Sequence, residues 1–212
     1  MKINIMIAFA ALFTLSALNA AEPADPVPVD SSDPLYILYT SGTTGQPKGA
    51  MLTHGNMLSN AQTLKTYWGW KKGDVLIHAL PIFHVHGLFV ALHGALINGS
   101  KMIWLAKFDP KFVIAKMPEA TVFMGVPTLY VRMLAEPALN KQAVRNMRLF
   151  IAGSAPLLVE TFMEWQQRSG HTILERYGMS ETAMLTSNPY RALEGERRGG
   201  TVGFPLPGVS LR

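Results

Sequence analysis

The chain contains no cysteine among its 212 residues. This absence excludes disulfide bonds, catalysis by a thiol and thiolate-bound metal sites, and it leaves the redox compartment undetermined. Charged residues are also few, at 16% of the chain, and 19 basic against 14 acidic residues give a net charge of +5. Only Lys71-Lys72 and Arg197-Arg198 are adjacent basic pairs, so a nucleic-acid-binding surface is not expected. A thinly basic surface suits small anions such as nucleotides, carboxylates and coenzyme A.

The N-terminus differs in composition from the rest of the chain. Lys2 precedes an apolar stretch, residues 3–18, which ends before Asn19-Ala20-Ala21 and is short for a membrane-spanning helix. This order is typical of a secretory signal peptide, so no stable membrane span is expected after cleavage. We predict a signal-like segment at 1–21, a Pro-rich linker at 22–33 and a folded domain at 34–212. An uncleaved membrane anchor and a foreign start joined to a gene fragment are the alternatives.

Short apolar runs alternate with segments of helical periodicity from residue 35 to residue 176. This alternation predicts an α/β fold in which βα units build a parallel sheet. The expected strands cover 35–39, 75–80, 101–105, 121–125, 149–152 and 172–175, and the expected helices cover 56–68, 87–97, 110–116, 127–135 and 156–169. Two helices have strong start signals, because Asp109 precedes Pro110 and Val126 precedes Pro127. Functional residues are expected at the carboxyl ends of the strands, where loops converge.

Residues 39–49 form the most unusual segment, which reads Tyr39-Thr40-Ser41-Gly42-Thr43-Thr44-Gly45-Gln46-Pro47-Lys48-Gly49. The apolar residues 35–39 lead into it like a buried strand. Its glycines allow successive backbone N–H groups to surround an anion, with hydroxyls and Lys48 as further donors. It is not a Walker A loop, because Pro47 stands where that motif has its second glycine. The segment predicts a phosphate-binding loop, and a solvated turn is the alternative.

This segment matches the signature loop of the adenylate-forming acyl-CoA synthetases at every defined position, and the chain resembles that family. The family's second signature, Tyr-Gly-x-Thr-Glu-Thr, is matched by Tyr177-Gly178-Met179-Ser180-Glu181-Thr182, with Ser180 replacing the first threonine. The resemblance covers about residues 33–212 and implies part of the large N-terminal domain of that fold. It stops before the family's ribose-binding aspartate, hinge and small C-terminal domain. The expectation is therefore a partial synthetase with incomplete turnover.

The resemblance implies a nucleotide site for ATP. It assigns the β- and γ-phosphates to Lys48 and the nearby hydroxyls, the α-phosphate to Thr182, and a magnesium ion to Glu181 and Thr44. It places adenine against Tyr177 and against the turn that contains Ser154. The nucleotide-binding residues implied in this way are Thr40, Ser41, Gly42, Thr43, Thr44, Gly45, Lys48, Gly153, Ser154, Ala155, Tyr177, Gly178, Met179, Ser180 and Thr182.

His86 precedes Gly87 at the head of an expected helix. In the family this position lies beside the acyl group and the reacting carboxylate, so the resemblance implies a catalytic set of His86, Glu181 and Thr182. His84 would point the same way if the segment is extended. A metal-binding histidine pair and purely structural histidines are the alternatives.

Several segments are similar to the malonyl-CoA synthetases within this family, including Pro81-Ile82-Phe83-His84-Val85-His86-Gly87 and Leu174-Glu175-Arg176-Tyr177-Gly178-Met179. The resemblance implies a short dicarboxylate substrate, malonate or methylmalonate. Its second carboxylate needs a planar guanidinium partner inside an apolar pocket. Arg132 is our first choice and Arg176 the second, and the predicted substrate site also includes His86 and Met179. An outward-facing Arg132 is the alternative.

The reaction implied by the resemblance has two steps. The acid attacks the α-phosphate of ATP to give an acyl-adenylate and pyrophosphate, and the thiol of coenzyme A then displaces AMP. A complete small enzyme, an inactive nucleotide-binding fragment and an exported non-catalytic domain are three competing hypotheses for this chain. The signal-like N-terminus favours export, whereas the family is ordinarily cytoplasmic.

Overall fold

The computed structural model describes residue 25, residues 27–40 and residues 45–211. The chain divides into two compact units, Met1–Asp30 and Ser31–Arg212. The signal-like segment predicted at 1–21 and residues 41–44 of the predicted phosphate-binding loop lie outside the described residues. Residues 25 and 27–30, which belong to the first unit, contain no helix or strand. Within the part of the chain that the structure describes, no helix has the length and apolar character that crossing a bilayer requires.

The second unit alternates strands and helices. Its strands are β1 (Pro34–Thr40), β2 (Lys48–Thr53), β3 (Val75–His78), β4 (Lys101–Trp104), β5 (Val122–Gly125), β6 (Leu149–Ala152), β7 (Leu174–Met179), β8 (Ala183–Ser187) and β9 (Phe204–Pro205). Its α-helices are α1 (His54–Tyr67), α2 (His93–Asn98), α3 (Pro110–Lys116), α4 (Pro127–Leu134) and α5 (Val159–Ser169), and a π-helical segment, His86–Leu92, leads into α2. Short 3₁₀ turns occupy Met117–Glu119 and Ala192–Glu194.

Seven strands form one sheet in the order β4-β3-β5-β6-β7-β8-β9. The first five strands of this order pair in parallel, whereas β8 and β9 are antiparallel to their neighbours. Every residue of β5 and β6 is buried, as is typical of central strands in a parallel sheet. The predicted α/β fold with a parallel sheet is therefore confirmed, with an antiparallel extension at one edge.

The first predicted strand has a different environment from the one expected. β1 does not join the parallel sheet but pairs with β2 as a separate antiparallel hairpin, in which Ile37 lies opposite Met51 and Thr40 opposite Lys48. Ile37 and Tyr39 are 55% and 75% exposed, so the prediction of a fully buried strand was wrong. The apolar run suggested a buried strand because its outward-facing positions also carry apolar side chains. β2 was missed because its residues overlap the glycine-rich signature.

The second signature also departs from the predicted loop. β7 continues to Met179, so Tyr177 and Gly178 lie in a strand rather than in a connection after residue 175. A bulge between these two residues and a tight turn over 180–182 lead the chain back into β8. Ala183 adopts a left-handed φ of 54° at the end of this turn, a conformation that non-glycine residues rarely adopt.

Helix starts follow the predicted signals. The Asp109 side chain accepts a hydrogen bond from the Phe112 N–H at 3.0 Å, with Pro110 in the first turn. Pro127 likewise begins α4 directly after Val126. Thr53 caps α1 through a reciprocal pair of bonds with Asn56, which fixes how the helix leaves β2.

A buried ion pair joins the amino-terminal ends of three neighbouring strands. The Asp74 carboxylate, just before β3, accepts hydrogen bonds from Arg148 Nε at 2.8 Å and from the Thr121 hydroxyl at 2.9 Å, and Arg148 Nη2 also donates to it. The Asp74 side chain is fully buried and that of Arg148 is 13% exposed. Arg148 Nη1 donates further to the Tyr190 hydroxyl at 2.9 Å. This network fixes the amino-terminal ends of these strands, opposite to the loops that follow their carboxyl ends.

Candidate functional site

A cavity of about 760 Å³ lies at the carboxyl ends of the parallel strands. Six predicted site residues line it, namely His86, Ser154, Arg176, Gly178, Met179 and Ser180, together with His84. Its apolar wall includes Leu80, Val85, Phe108, Val126, Leu129 and Met184. The loops after β3, β4, β5 and β6 and the end of β7 therefore converge on one hollow, as the sheet topology requires.

Arg176 is the most unusual side chain in this cavity. It is only 2% exposed, and two of its donors, Nε and Nη2, have no hydrogen-bond partner among the described residues. Its guanidinium lies against the backbone of Gly153, where an added Cβ would come within 2.6 Å of Cζ. Burial lowers the pKa of Arg176 to about 9. A buried guanidinium without a counter-ion creates a strong local preference for an anion.

His86 lies beside this guanidinium at the start of the π-helical segment. It is 5% exposed, its Nδ1 lies 3.3 Å from the Ser154 hydroxyl, and its Nε2 has no partner among the described residues. Burial lowers the pKa of His86 well below its ordinary value, and Arg176 and His78 act in the same direction. His86 is therefore neutral at physiological pH and can offer one ring nitrogen to a polar group in the cavity.

His78, at the end of β3, holds the π-helical segment in place. His78 Nε2 lies 3.0 Å from the Gly87 carbonyl oxygen, and the His78 ring stacks on Trp104 at 4.3 Å. π-Helical turns occur frequently at functional sites because they re-aim one side chain of a helix. Here the segment directs His86 into the cavity.

Ser154 occupies a strained backbone position at the cavity. Its φ is 70°, and such conformations persist only where the surroundings impose them. The Glu175 carboxylate, 3% exposed, accepts the Leu157 N–H at 3.0 Å and so anchors the same loop. Ala155 is exposed in this loop but does not line the cavity.

A second cavity, of about 440 Å³, contains the other half of the second signature. Glu181 and Thr182 line it together with Met51 and Leu52 from β2 and with residues of α1. Met184 lines both cavities, so the two hollows adjoin. The turn that carries Glu181 therefore faces the hairpin that carries the first signature.

The hairpin places the described part of the first signature at its tip. Thr40 and Lys48 face each other at the strand ends, and the Thr40 hydroxyl donates to the Lys48 carbonyl at 3.4 Å. Lys48 and Gly45 are exposed, and Gly45 has a φ of 80° that favours glycine. Ser41, Gly42, Thr43 and Thr44 lie outside the described residues, so their phosphate-binding role stays a prediction.

Arg132 is not where the sequence analysis placed it. Its side chain is exposed, its guanidinium lies 4.7 Å from the centre of the Phe108 ring, and it does not line the cavity. Arg132 lies on the exposed face of α4, because the opposite face, which includes Leu129, Tyr130 and Met133, packs into the core. The first choice for a carboxylate partner is therefore replaced by the second, Arg176.

Sequence reasoning missed the contribution of the loop after β4. Ala106, Lys107 and Phe108 line the cavity, although none of them was among the predicted site residues. The predicted strand at 101–105 was the signal that could have identified this loop, because its carboxyl end lies at the same edge of the sheet.

The comparisons with known proteins agree with this geometry. The family model described as AMP-binding enzyme matches residues 3–212. The malonate–CoA ligase of Xenopus laevis mitochondria is 42% identical over 192 residues, which is 83% of this chain and 33% of that protein. Crystal structures of ATP-bound MatB from Rhodopseudomonas palustris and of a malonyl-CoA ligase with methylmalonyl-CoA and AMP bound give TM-scores of 0.86 and 0.81.

These two structures are 54% and 41% identical to this chain, over 93% and 89% of its length and 39% and 41% of theirs. The chain spans about a third of the length of the curated relatives that it matches. The family match covers nearly the whole chain and includes both signatures, the parallel sheet and the residues that line the two cavities. The chain belongs to the AMP-binding enzyme family.

Proposed function

We propose that this chain forms the part of an ATP-dependent acid–thiol ligase that binds the nucleotide and a short dicarboxylic acid. The observation that carries the proposal is the buried guanidinium of Arg176, whose Nε and Nη2 have no hydrogen-bond partner among the described residues and which faces a mainly apolar cavity beside His86. A monocarboxylate would leave this cation without a partner once its only carboxylate is turned toward ATP. A dicarboxylate such as malonate or methylmalonate supplies one carboxylate for reaction and one for Arg176.

The similar proteins support this substrate class. Relatives from Xenopus laevis, Homo sapiens and Arabidopsis thaliana are named malonate–CoA ligases, and the similar crystal structures contain ATP, or AMP with methylmalonyl-CoA. In the proposed reaction the carboxylate of the acid attacks the α-phosphorus of ATP and pyrophosphate leaves. The thiol of coenzyme A then attacks the acyl carbon and AMP leaves.

The described residues divide this work between the two cavities. Arg176 binds the non-reacting carboxylate and orients the acid, while neutral His86 offers a ring nitrogen to the reacting end without adding a second charge. Thr182, which lines the second cavity, and Lys48 at the hairpin tip hold the phosphates. Adenine lies against Tyr177 and the turn that contains Ser154.

A magnesium ion fits this arrangement only if groups of the protein and of the nucleotide coordinate it together. No group of three or more His, Asp or Glu side chains comes together among the described residues, and Glu181 is the carboxylate that lines the second cavity. Mg²⁺ is commonly held by one or two carboxylates with substrate phosphates completing its shell. Glu181, with Thr44 as the second predicted ligand, would hold it, and the ion would neutralise phosphate charge.

Calorimetry with the full chain tests the proposal. We expect heat on titration with Mg·ATP, and malonate affinity at least about 100-fold higher than that of isovalerate, whose isopropyl group has the shape of a carboxylate without its charge. AMP formation that depends on malonate and coenzyme A would extend the proposal to the whole reaction. Absence of heat with ATP, AMP and an acyl-adenylate analogue would refute it.

Gly153→Ala tests the placement of the guanidinium. The new Cβ would overlap the Arg176 side chain and displace its guanidinium, so we expect malonate affinity to fall by about tenfold. In an Arg176→Leu background the same alanine should change malonate affinity little, because the guanidinium that it displaces is absent. Equal losses in both backgrounds would show that Gly153 acts independently of Arg176.

A further inference from the structure

Asn60 makes an unusual contact between two distant parts of the chain. It lies on α1, and its Nδ2 donates to the Met184 carbonyl at 2.9 Å while its Oδ1 accepts the Met184 N–H at 3.3 Å. The two residues are 124 positions apart. A single side chain therefore bonds both backbone groups of a β8 residue, because an amide carries a donor and an acceptor side by side.

Each end of this contact leads directly to a nucleotide-binding segment. Met184 follows Ala183, the left-handed residue that closes the turn with Glu181 and Thr182. On the other side, α1 continues from β2 without a linker and is capped by Thr53, and β2 begins at Lys48. Asn60 itself lines the second cavity between the two segments.

The second link between α1 and β8 lies farther from the turn. Trp68 Nε1, at the end of α1, donates to the Ser187 hydroxyl at 3.0 Å, at the opposite end of β8. That bond fixes the far end of β8 against α1, whereas the Asn60 amide joins α1 to the turn end, where Met184 also pairs with Gly178 of β7. The Asn60 amide thus helps to set the distance of the Glu181 turn from α1 and from the hairpin that leads into it.

We propose that Asn60 is a positioning residue that holds the Glu181–Thr182 turn at a fixed distance from the β1–β2 hairpin, so that both segments engage the same Mg·ATP. The proposal rests on the proposed function, because it assumes that these two segments bind one nucleotide. Asn60 acts through Met184 and need not touch the nucleotide. ATP, which spans both segments, depends on this distance, whereas AMP reaches only the turn and the adenine site.

The test compares Asn60→Leu and Asn60→Ala with Asn98→Leu. Leucine keeps the branched arrangement of the asparagine side chain and overfills the site, whereas alanine leaves it empty, so a loss shared by both reports the hydrogen bonds rather than packing. Asn98 is a matched control, because its amide also bonds a backbone carbonyl, that of Lys71 at 2.9 Å, but lines neither cavity. Titration calorimetry gives the Kd for Mg·ATP and for AMP, and hydrogen exchange of the 179–186 peptide reports the turn directly.

We expect both Asn60 variants to raise the Kd for Mg·ATP by about tenfold, to change the Kd for AMP by less than about twofold, and to speed exchange in that peptide. The Asn98 variant should leave all three unchanged. Equal losses of ATP and AMP affinity, or none, in variants that remain folded while the wild type binds ATP would overturn the positioning role alone. A wild type that binds no nucleotide would overturn the proposed function and this role with it.

Discussion

Arg176→Leu is expected to remove the preference for a dicarboxylate and, without ligand, to make the protein more stable. The wild-type guanidinium is buried without a carboxylate partner among the described residues, so folding includes an uncompensated desolvation cost. Leucine removes that cost and adds apolar contacts, which should raise the free energy of unfolding by about 1–3 kcal/mol. Malonate affinity should fall by at least about 100-fold, because the second carboxylate would then enter an apolar pocket.

Urea denaturation measures the first effect and calorimetry with malonate and isovalerate the second. Arg132→Leu is the matched control, because this arginine is exposed and does not line the cavity, although it lies over the Phe108 ring. This variant should change malonate affinity by at most about twofold and should leave the free energy of unfolding nearly unchanged. Retained malonate selectivity in the Arg176 variant would overturn the assignment of the dicarboxylate site, whether or not the variant is stabilised.

Asp74→Ala is expected to destabilise the fold by about 3–5 kcal/mol. The change leaves the Arg148 guanidinium largely buried and without its carboxylate, and it removes the acceptor that joins the loops before β3, β5 and β6. Urea denaturation followed by circular dichroism measures the loss. Glu119→Ala removes an exposed ion pair with Lys116 and should change stability by no more than about 1 kcal/mol. Equal effects of the two substitutions would contradict the structural role of Asp74.

The pH dependence of stability provides a second readout. Burial raises the pKa of Asp74, but hydrogen bonds from Arg148, the Lys71 N–H and Thr121, together with the Arg148 charge, outweigh burial and lower it below the ordinary value. The stabilisation is therefore fully present above the unfolded-state pKa and is lost as the pH falls through the lower folded-state pKa. Asp74→Asn should lack this acid-induced loss, and an unchanged acid limb in that variant would assign the loss to other carboxylates.

The order of elements could be predicted from the sequence, because strand and helix periodicities differ, a proline begins both α3 and α4, and Asp109 caps α3. Which strands pair with each other could not be predicted. β1 is an apolar run like the central strands, yet it pairs only with β2, since pairing depends on distant residues that local pattern does not report. The same limit applies to β7, whose extension past Arg176 requires the antiparallel β8 beside it.

For the candidate site, the signatures located the segments but not the direction of individual side chains. Arg132 lies in an otherwise apolar helix and Arg176 directly after Glu175, and only helical phase and strand register distinguish the exposed arginine from the buried one. Asn60 carried no local signal at all, because its importance comes from Met184, which is remote in sequence. Residues that act through the backbone of another segment are recognised only once the chain is folded.

Neighbouring Glu175 and Arg176 protect the alignment of β7 against slippage. Both are buried, but they project to opposite sides of the strand, the carboxylate toward the Leu157 N–H and the guanidinium toward the first cavity. A shift of one residue would exchange them, so that a cation met a backbone N–H donor and a carboxylate entered the apolar cavity. Opposite charges in tandem thus penalise the misaligned strand.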